Sequence, residues 1–338
     1  MSSQPAPADS PGPRAVVPQS QIRAALQAGE LRLHYQRIVS LESGTTTGVE
    51  ALLRWQHPTG GMLPPDDFLP AVAHTPAIHE ITRWVVGAAL LAARRWPEWT
   101  VSVNISALDA SRPHLVRDVA DALRETGVAP QRLTLELTEQ AMVQDLERAA
   151  AVLGSLRGLG VGLSLDDFGT GYSSLLYLRD LPLTELKVDR AFLAKVPRSD
   201  EDIAIVRSCA QLGRSIGVRV VAEGVETMAQ ARVALAAGCH AAQGYLWGKP
   251  GSAESLDPDR LLRVPEDGSA GSPRTIPPTT RAARRIQQLL SDGASLHTIA
   301  AALNREGLRT DKQVRWTSRS VALVVAKLPP APPGNPPG

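Results

Sequence analysis

The chain has 338 residues, 43% hydrophobic and 21% charged, a composition typical of a soluble globular protein with one large domain and one small one. No apolar run reaches the roughly 18 residues of a membrane-spanning helix, and the start of the chain lacks the pattern of a signal peptide. We therefore expect a cytoplasmic protein with no membrane partner. Its two cysteines, Cys209 and Cys239, are too few for a disulfide framework, and we expect buried thiols rather than a disulfide.

Charge is unevenly distributed along the chain. Residues 281–338 hold nine Lys or Arg and three Asp or Glu, a net charge of +6, while the rest holds 27 bases and 31 acids, a net charge of −4. A basic end on an acidic body indicates two parts with different partners.

The first 19 residues are rich in Pro, Ser and Ala without an apolar period, which predicts a disordered tail. From residue 20 onward, short apolar runs alternate with helical patterns. The predicted strands are Leu31–Ile38, Thr46–Trp55, Thr100–Ile105, Leu133–Leu137, Gly162–Leu165, Leu186–Val188, Arg219–Ala222 and His240–Gln243. The predicted helices are Glu80–Ala93, Pro113–Thr126, Gln144–Leu159, Glu201–Ile216 and Thr227–Ala237.

This alternation predicts an α/β protein with a mostly parallel sheet wrapped by helices. Eight strands over about 230 residues match the size of a (β/α)8 TIM-like barrel, and an open doubly wound sheet is the alternative. The first two strands are separated by a connection short enough for a hairpin, so we expect one antiparallel strand.

After residue 250 the composition changes. Residues 264–280 contain four Pro, two Gly and two Ser, so we assign 251–280 to a linker. Residues 281–328 are predicted to form a small module of three helices. The last segment, 329–338, is rich in Pro and Gly and is expected to be disordered.

Polar residues fall in or at the ends of seven of the eight predicted strands. Any single one could be structural, capping a strand or pairing with a nearby base, but their number favours a common site where the strands of a barrel end. Five carboxylates and one Asn, with no His or Cys, form an oxygen-rich set that suits Mg²⁺ or Mn²⁺. Two adjacent Asp residues can bridge two metals ~4 Å apart, which predicts metal-assisted hydrolysis of a phosphate ester. The residues are Glu50, Asn104, Glu136, Asp166, Asp167, Lys187, Glu223 and Gln243.

Seven short motifs occur in this part of the chain in a characteristic order. They are Glu50-Ala-Leu-Leu-Arg-Trp55, Asn104-Ile-Ser, Glu136-Leu-Thr-Glu139, Asp166-Asp-Phe-Gly-Thr-Gly-Tyr-Ser-Ser174, Leu186-Lys-Val-Asp189, Val221-Ala-Glu-Gly-Val-Glu226 and Gln243-Gly-Tyr-Leu. This set resembles EAL-domain cyclic di-GMP phosphodiesterases over about residues 20–250. Asp-Phe-Gly also occurs in protein kinases, but their His-Arg-Asp loop and Gly-rich nucleotide loop are missing here.

The resemblance implies two Mg²⁺ or Mn²⁺ ions and hydrolysis of cyclic di-GMP to linear pGpG. Lys187 would orient the attacking water, and Glu223 would act as a base or a ligand. The implied catalytic residues are Lys187, Glu223 and Glu50. The implied ligands of the first ion are Glu50, Asn104, Glu136 and Asp166, and those of the second are Asp166, Asp167 and Glu223.

The resemblance also implies substrate contacts and a supporting loop. Gln36, Arg54 and Gln243 would contact the nucleotide, and a loop anchored by Glu139 would couple the metal site to a homodimer. The loop residues are Gly169, Thr170 and Gly171. The chain departs from the family pattern at Arg37, at Ala73 and at the pair Gly248-Lys249, without losing an implied ligand. The alternative function is a catalytically silent cyclic di-GMP receptor, and such a receptor could be coupled to DNA binding through the C-terminal module.

The C-terminal module has a helix-turn-helix pattern and resembles the DNA-binding-like module of some serine recombinases. Arg309, Arg315 and Arg319 are the candidate DNA contacts. The alternative is a helical bundle that packs on the barrel or mediates dimerisation, with its bases exposed to solvent.

Overall fold

The structure is a computed structural model. It describes residues 18–138, 146–169 and 181–256, and in the C-terminal region residues 282, 285, 286, 288, 289, 294, 296–308, 316 and 321. The chain divides into two compact units, Met1–Pro265 and Glu266–Gly338. Within the described parts of both units, no helix has the length and apolar character needed to cross a membrane.

The first unit is built around one sheet of nine strands. These are β1 (Leu31–Ser40), β2 (Thr46–His57), β3 (Gly61–Leu63), β4 (Thr100–Asn104), β5 (Leu133–Thr138), β6 (Gly162–Phe168), β7 (Glu185–Val188), β8 (Arg219–Ala222) and β9 (Ala241–Gln243). Their order is β1-β9-β8-β7-β6-β5-β4-β2-β3, and β1 also pairs with β2. That additional pairing closes eight strands into a barrel and leaves β3 as an extension of β2.

Strand direction follows the sequence prediction. The pairs from β2–β4 through β8–β9 are parallel, whereas β1 is antiparallel to both of its neighbours. The predicted (β/α)8 barrel with one antiparallel strand is confirmed, and the open doubly wound sheet is wrong because β1 bridges β9 and β2.

Helices cover the outside of the barrel. They are α1 (Gln19–Gln27), α2 (Ala77–Ala93), α3 (Ala107–Ala110), α4 (His114–Thr126), α5 (Leu146–Gly158), α6 (Asp200–Ser215) and α7 (Met228–Ala237). Local sequence fixes several helix ends. Thr227 and Gln230 form a capping box at the start of α7, and Gly127 ends α4 with a left-handed φ of 68°.

The large apolar core lies between the strands and the surrounding helices. Leu133, Leu135 and Leu137 of β5 are fully buried there and belong to the same apolar cluster as side chains of the helices. Because side chains alternate along a strand, Glu136 of β5 lies on the opposite face, inside the barrel, where it contacts Lys187. Lys187 is fully buried among charged partners, and a charge at this depth is costly unless it is paired.

The second unit has a small core of its own. Helix α8 (Leu296–Arg305) contributes Ile299 and Leu303 to an apolar cluster with Trp316. The side chain of Asn304 accepts from the Trp316 backbone N–H and donates to its carbonyl, both at 2.8 Å. These two bonds tie the segment around Trp316 to α8, while the predicted three-helix arrangement extends over residues outside those described.

Candidate metal and phosphodiester site

The sequence-predicted residues converge inside one end of the barrel. Glu50 lies in β2, Glu136 in β5 and Asp166 in β6, while Glu223 directly follows β8. Because parallel strands end together, side chains from non-adjacent parts of the chain meet there. Glu136 and Asp166 lie two positions before the observed strand ends, since β5 and β6 extend further than predicted, whereas Glu50 lies in the middle of β2.

The Lys187 ammonium lies at the centre of four carboxylates. Its Nζ is 2.7 Å from Glu223 Oε1, 2.8 Å from Glu136 Oε2, 3.3 Å from Glu50 Oε2 and 3.4 Å from Asp166 Oδ1. Burial alone would lower the pKa of this ammonium, but the surrounding carboxylates reverse that effect and raise the pKa well above its usual value. Lys187 is therefore charged in the folded protein.

The carboxylates differ in how their charge is compensated. Burial raises the pKa of Glu136 well above its usual range and that of Glu223 to about 8. Burial acts on Glu50 in the same direction, but Lys187 and hydrogen bonds from Gln243 and Asn104 outweigh it and lower its pKa. The single positive charge of Lys187 cannot neutralise the four carboxylates that contact it.

Asp166, Asp167 and Glu223 form the part of the cluster that can share an ion. One ligand atom from each lies within 4.8 Å of the others. Burial and the charge of Asp166 raise the pKa of Asp167 to about 6, and the backbone of Asp167 adopts a left-handed φ of 54°. This conformation is unusual for a residue other than glycine and is typical of functional sites.

The donor set fits divalent cations that prefer oxygen. With all five acids ionised, the carboxylates and Lys187 carry a formal charge of −4, which two divalent cations neutralise. The buried Glu136 Oε1 has no hydrogen-bond partner among the described residues, although buried carboxylate oxygens normally have one. Both features are those of a site that holds hard cations.

Amide side chains orient Glu50. The Asn104 Nδ2 group donates to Glu50 Oε1 at 2.7 Å, and the Gln243 Nε2 group donates to Glu50 Oε2. Gln243 also donates to Gln36 Oε1 at 3.0 Å. The four residues thus form one network, with the amide oxygen of Asn104 left for another partner.

A cleft of about 560 Å³ opens above the carboxylates. A second cleft of about 260 Å³ shares several of its residues and includes Arg54. Asp189 and Arg190 also line the larger cleft, and neither was among the predicted site residues. Asp189 follows Lys187 by two positions, and side chains two positions apart in a strand lie on the same face. Asp189 could therefore have been predicted as a site residue from the position of Lys187.

Some predicted site residues lie outside the described part of the chain. These are Glu139, Thr170, Gly171, Arg309, Arg315 and Arg319. Gly169 is described and has a φ of 100°, and a Cβ there would be 2.9 Å from the Phe192 ring. A side chain at this position is therefore excluded both by backbone conformation and by space.

Fold and site together define a (β/α)8-barrel protein with an acidic site at the carboxyl ends of its strands. A family model described as the EAL domain matches residues 19–250. The chain belongs to the EAL domain family.

Relatives and solved structures agree with this assignment. The chain is 43% identical over 240 residues to the bifunctional diguanylate cyclase/cyclic di-GMP phosphodiesterase MucR of Pseudomonas aeruginosa, covering 70% of this chain and 35% of MucR. It is 40% identical over 237 residues to the cyclic di-GMP phosphodiesterase NbdA of the same organism, covering 69% of this chain and 30% of NbdA. The chain thus aligns with about a third of the length of these curated relatives.

A solved structure described as the PaMucR phosphodiesterase in its c-di-GMP complex is similar in fold. Its TM-score is 0.67 at 43% identity, over 70% of this chain and 98% of that one. In the second unit, a family model described as Recombinase matches residues 278–327.

Proposed function

We propose that the chain is a phosphodiesterase that hydrolyses cyclic di-GMP to linear pGpG with two Mg²⁺ or Mn²⁺ ions. The observation that carries the proposal is the set of four carboxylates around Lys187, with Asp167 beside Asp166 and Glu223, in a barrel of the EAL domain family. Relatives named as cyclic di-GMP phosphodiesterases share this part of the chain, which supports the substrate class.

The proposed ligands follow from the donor set. Glu50, Asn104, Glu136 and Asp166 would hold one ion, and Asp166, Asp167 and Glu223 the other. When bound, two divalent cations lower the pKa of a shared water and neutralise negative charge on a phosphodiester.

The chain's own residues supply orientation and proton handling. Lys187 is held by four carboxylates at the centre of the site, where its positive charge would help to orient the attacking water. Glu223 lies 2.7 Å from Lys187 and lines the cleft, so its carboxylate is placed to act as a general base or to hold the second ion.

Substrate contacts are proposed on the rim of the cleft. The Arg54 guanidinium lines the smaller cleft beside Gln36 and Gln243, and its planar fork suits a phosphate. The supporting loop, anchored by Glu139 and containing Gly169, Thr170 and Gly171, would couple this site to a homodimer.

The competing function is a catalytically silent receptor for the same nucleotide. Incubating the full chain with cyclic di-GMP and Mg²⁺ or Mn²⁺, followed by chromatography of the nucleotides, separates the two. Appearance of pGpG supports the enzyme. Tight binding with intact cyclic nucleotide contradicts it and supports the receptor.

A second function is proposed for the C-terminal unit, namely DNA binding through residues 281–328 with Arg309, Arg315 and Arg319 as contacts. Its net positive charge and the Recombinase match support this. Affinity for duplex DNA should then fall with salt, with a log–log slope near −0.9 for each phosphate contacted. Absence of binding even at low salt would leave the unit as a packing or dimerisation element.

A further inference from the structure

A buried carboxylate outside the metal cluster lies next to the loop that presents Asn104. Asp109 belongs to α3, five residues after Asn104, and it is fully buried. Removing a carboxylate from water is costly, and an apolar residue would fill such a place without that cost. Its presence indicates that it fixes a particular geometry.

Three side-chain donors converge on Asp109. The His79 Nδ1 group donates to Oδ1 at 2.7 Å, while the hydroxyl groups of Thr82 and Ser106 donate to Oδ2 at 2.7 and 2.6 Å. His79 and Thr82 belong to α2, whereas Ser106 lies in the loop after β4. Asp109 therefore joins the β4 loop to a long helix on the outside of the barrel.

The bond to Ser106 also closes the loop on itself. The Asp109 backbone N–H donates to Ser106 Oγ at 3.1 Å while its carboxylate accepts from the same hydroxyl. At the other end of the loop, the Ile105 N–H donates to the Glu136 carbonyl at 2.9 Å. The short segment after Asn104 is thus held at both ends, by the barrel on one side and by α2 on the other.

Asn104 depends on this support more than the other ligand candidates do. Glu50, Glu136 and Asp166 are buried and constrained by packing, but Asn104 is exposed. Among the described residues, its side chain makes one hydrogen bond, from Nδ2 to Glu50, and its amide oxygen makes none, so that oxygen is available as a ligand. The orientation of that oxygen is therefore set mainly by the backbone that carries it.

We propose that Asp109 is a positioning residue: it clamps the β4 loop to α2 through Ser106, His79 and Thr82 and so holds the amide oxygen of Asn104 for the metal site. The proposal rests on the proposed function, because it takes Asn104 as a metal ligand. It adds a residue outside the EAL motif set to the machinery of the site.

The test is Mn²⁺ binding by the full chain, measured by titration calorimetry without nucleotide, together with the Mn²⁺ concentration that half-activates turnover of cyclic di-GMP. Asp109→Ala should weaken Mn²⁺ binding and raise the half-activating concentration by about tenfold, the scale of a lost supporting contact at a metal ligand. Turnover should recover as Mn²⁺ is raised, since the ligands themselves remain.

Two further variants keep the test decisive. Thr82→Val keeps the shape of its side chain but removes one donor, so a smaller shift in the same direction is expected, and it carries the test if Asp109→Ala does not fold. Asp109→Asn keeps the shape of the side chain and the acceptor for His79, but the hydroxyl groups of Thr82 and Ser106 lose their acceptor, so an intermediate loss of Mn²⁺ affinity is expected.

The matched control is Glu80→Ala. Glu80 lies in α2 between His79 and Thr82 and pairs with Arg23 at 2.8 Å, so this variant removes a carboxylate from the same helix without removing a contact of Asp109. It should keep wild-type Mn²⁺ affinity.

Two results would overturn the proposal. One is a lower melting temperature in Asp109→Ala with unchanged Mn²⁺ affinity, which would make Asp109 merely structural. The other is an equal loss of affinity in Glu80→Ala. The enzyme proposal can fail on its own. Wild-type protein that binds Mn²⁺ but does not turn over cyclic di-GMP refutes the enzyme, and the calorimetric comparison of the variants still decides the role of Asp109. Wild-type protein that binds no Mn²⁺ refutes the metal site and this proposal with it.

Discussion

Replacing Lys187 by Met removes the one buried cation that compensates the carboxylates. Four acidic oxygens within 3.4 Å of its Nζ would then face each other across an apolar side chain. Losing one partner of a buried ion pair costs about 3–5 kcal/mol, a large part of the 5–15 kcal/mol that stabilises a typical protein. At about 2–4 °C per kcal/mol, we expect the melting temperature to fall by roughly 6–20 °C.

The loss should depend on pH and on metal. A carboxyl whose folded pKa is raised, such as Glu223 at about 8, keeps a proton that the unfolded chain releases above about 4.5, so stability falls as pH rises between these values. Without Lys187 the carboxyl pKa values rise further, and the deficit should therefore be larger at pH 8 than at pH 5. Mn²⁺ should restore more stability to Lys187→Met than to wild type, because added cations replace the missing charge.

Urea unfolding followed by tryptophan fluorescence, at both pH values and with EDTA or Mn²⁺, measures these differences. A conservative change at another buried position, such as Leu135→Met, is the control for side-chain replacement alone. Exposed ion pairs contribute no more than about 1 kcal/mol to stability. If Lys187→Met lowers the free energy of unfolding by less than this, equally at both pH values and regardless of Mn²⁺, then Lys187 does not compensate the buried carboxylates.

Three other changes test separate parts of the structure. Glu50→Ala should lower turnover by about 100-fold or more, because it removes a proposed ligand and the acceptor of two amide side chains; a wild-type rate in the chromatographic assay would count against the site. Gly244→Ala should lower both the melting temperature and nucleotide affinity, because the new Cβ would overlap the backbone of Val225 beside the cleft; an unchanged melting temperature would show that the chain relaxes there. Burial raises the pKa of the Cys239 thiol to about 12 and also that of Cys209, so a thiol reagent at pH 8 should label neither cysteine until the protein is unfolded; fast labelling of the native protein would contradict this.

The barrel could be predicted because its strands are apolar runs bounded by turns and separated by helical patterns. Three elements were missed: β3, α1 and the four-residue helix α3 (Ala107–Ala110). Strand β3 (Gly61–Leu63) has three residues, none of them buried, so no periodic signal marks it. Helix α1 (Gln19–Gln27) buries Ile22 and Ala25, and with Leu26 these give an i, i+3, i+4 pattern that the sequence does contain.

The site was predictable where a polar side chain interrupts an apolar strand, as at Glu136 and Lys187. The position of a residue in its strand could not show that one lysine contacts four carboxylates, because these contacts are far apart in sequence. Lys187 is 51 positions from Glu136 and 137 positions from Glu50. The contact between His79 and Asp109 was likewise hidden, because it depends on how α2 packs against the β4 loop. Long-range packing of this kind is set by the closed barrel rather than by any local pattern.

The proposal that two metal ions hydrolyse cyclic di-GMP in this site is best tested by the metal dependence of turnover. Full-length protein stripped with EDTA is incubated with cyclic di-GMP, and the products are separated by chromatography after adding back Mg²⁺, Mn²⁺ or Ca²⁺. The account predicts no conversion in EDTA, conversion to pGpG with Mg²⁺ or Mn²⁺, and little with Ca²⁺, which is larger and accepts irregular coordination. Conversion in EDTA, or equal rates with Ca²⁺ and Mg²⁺, would contradict a two-metal site built from these carboxylates.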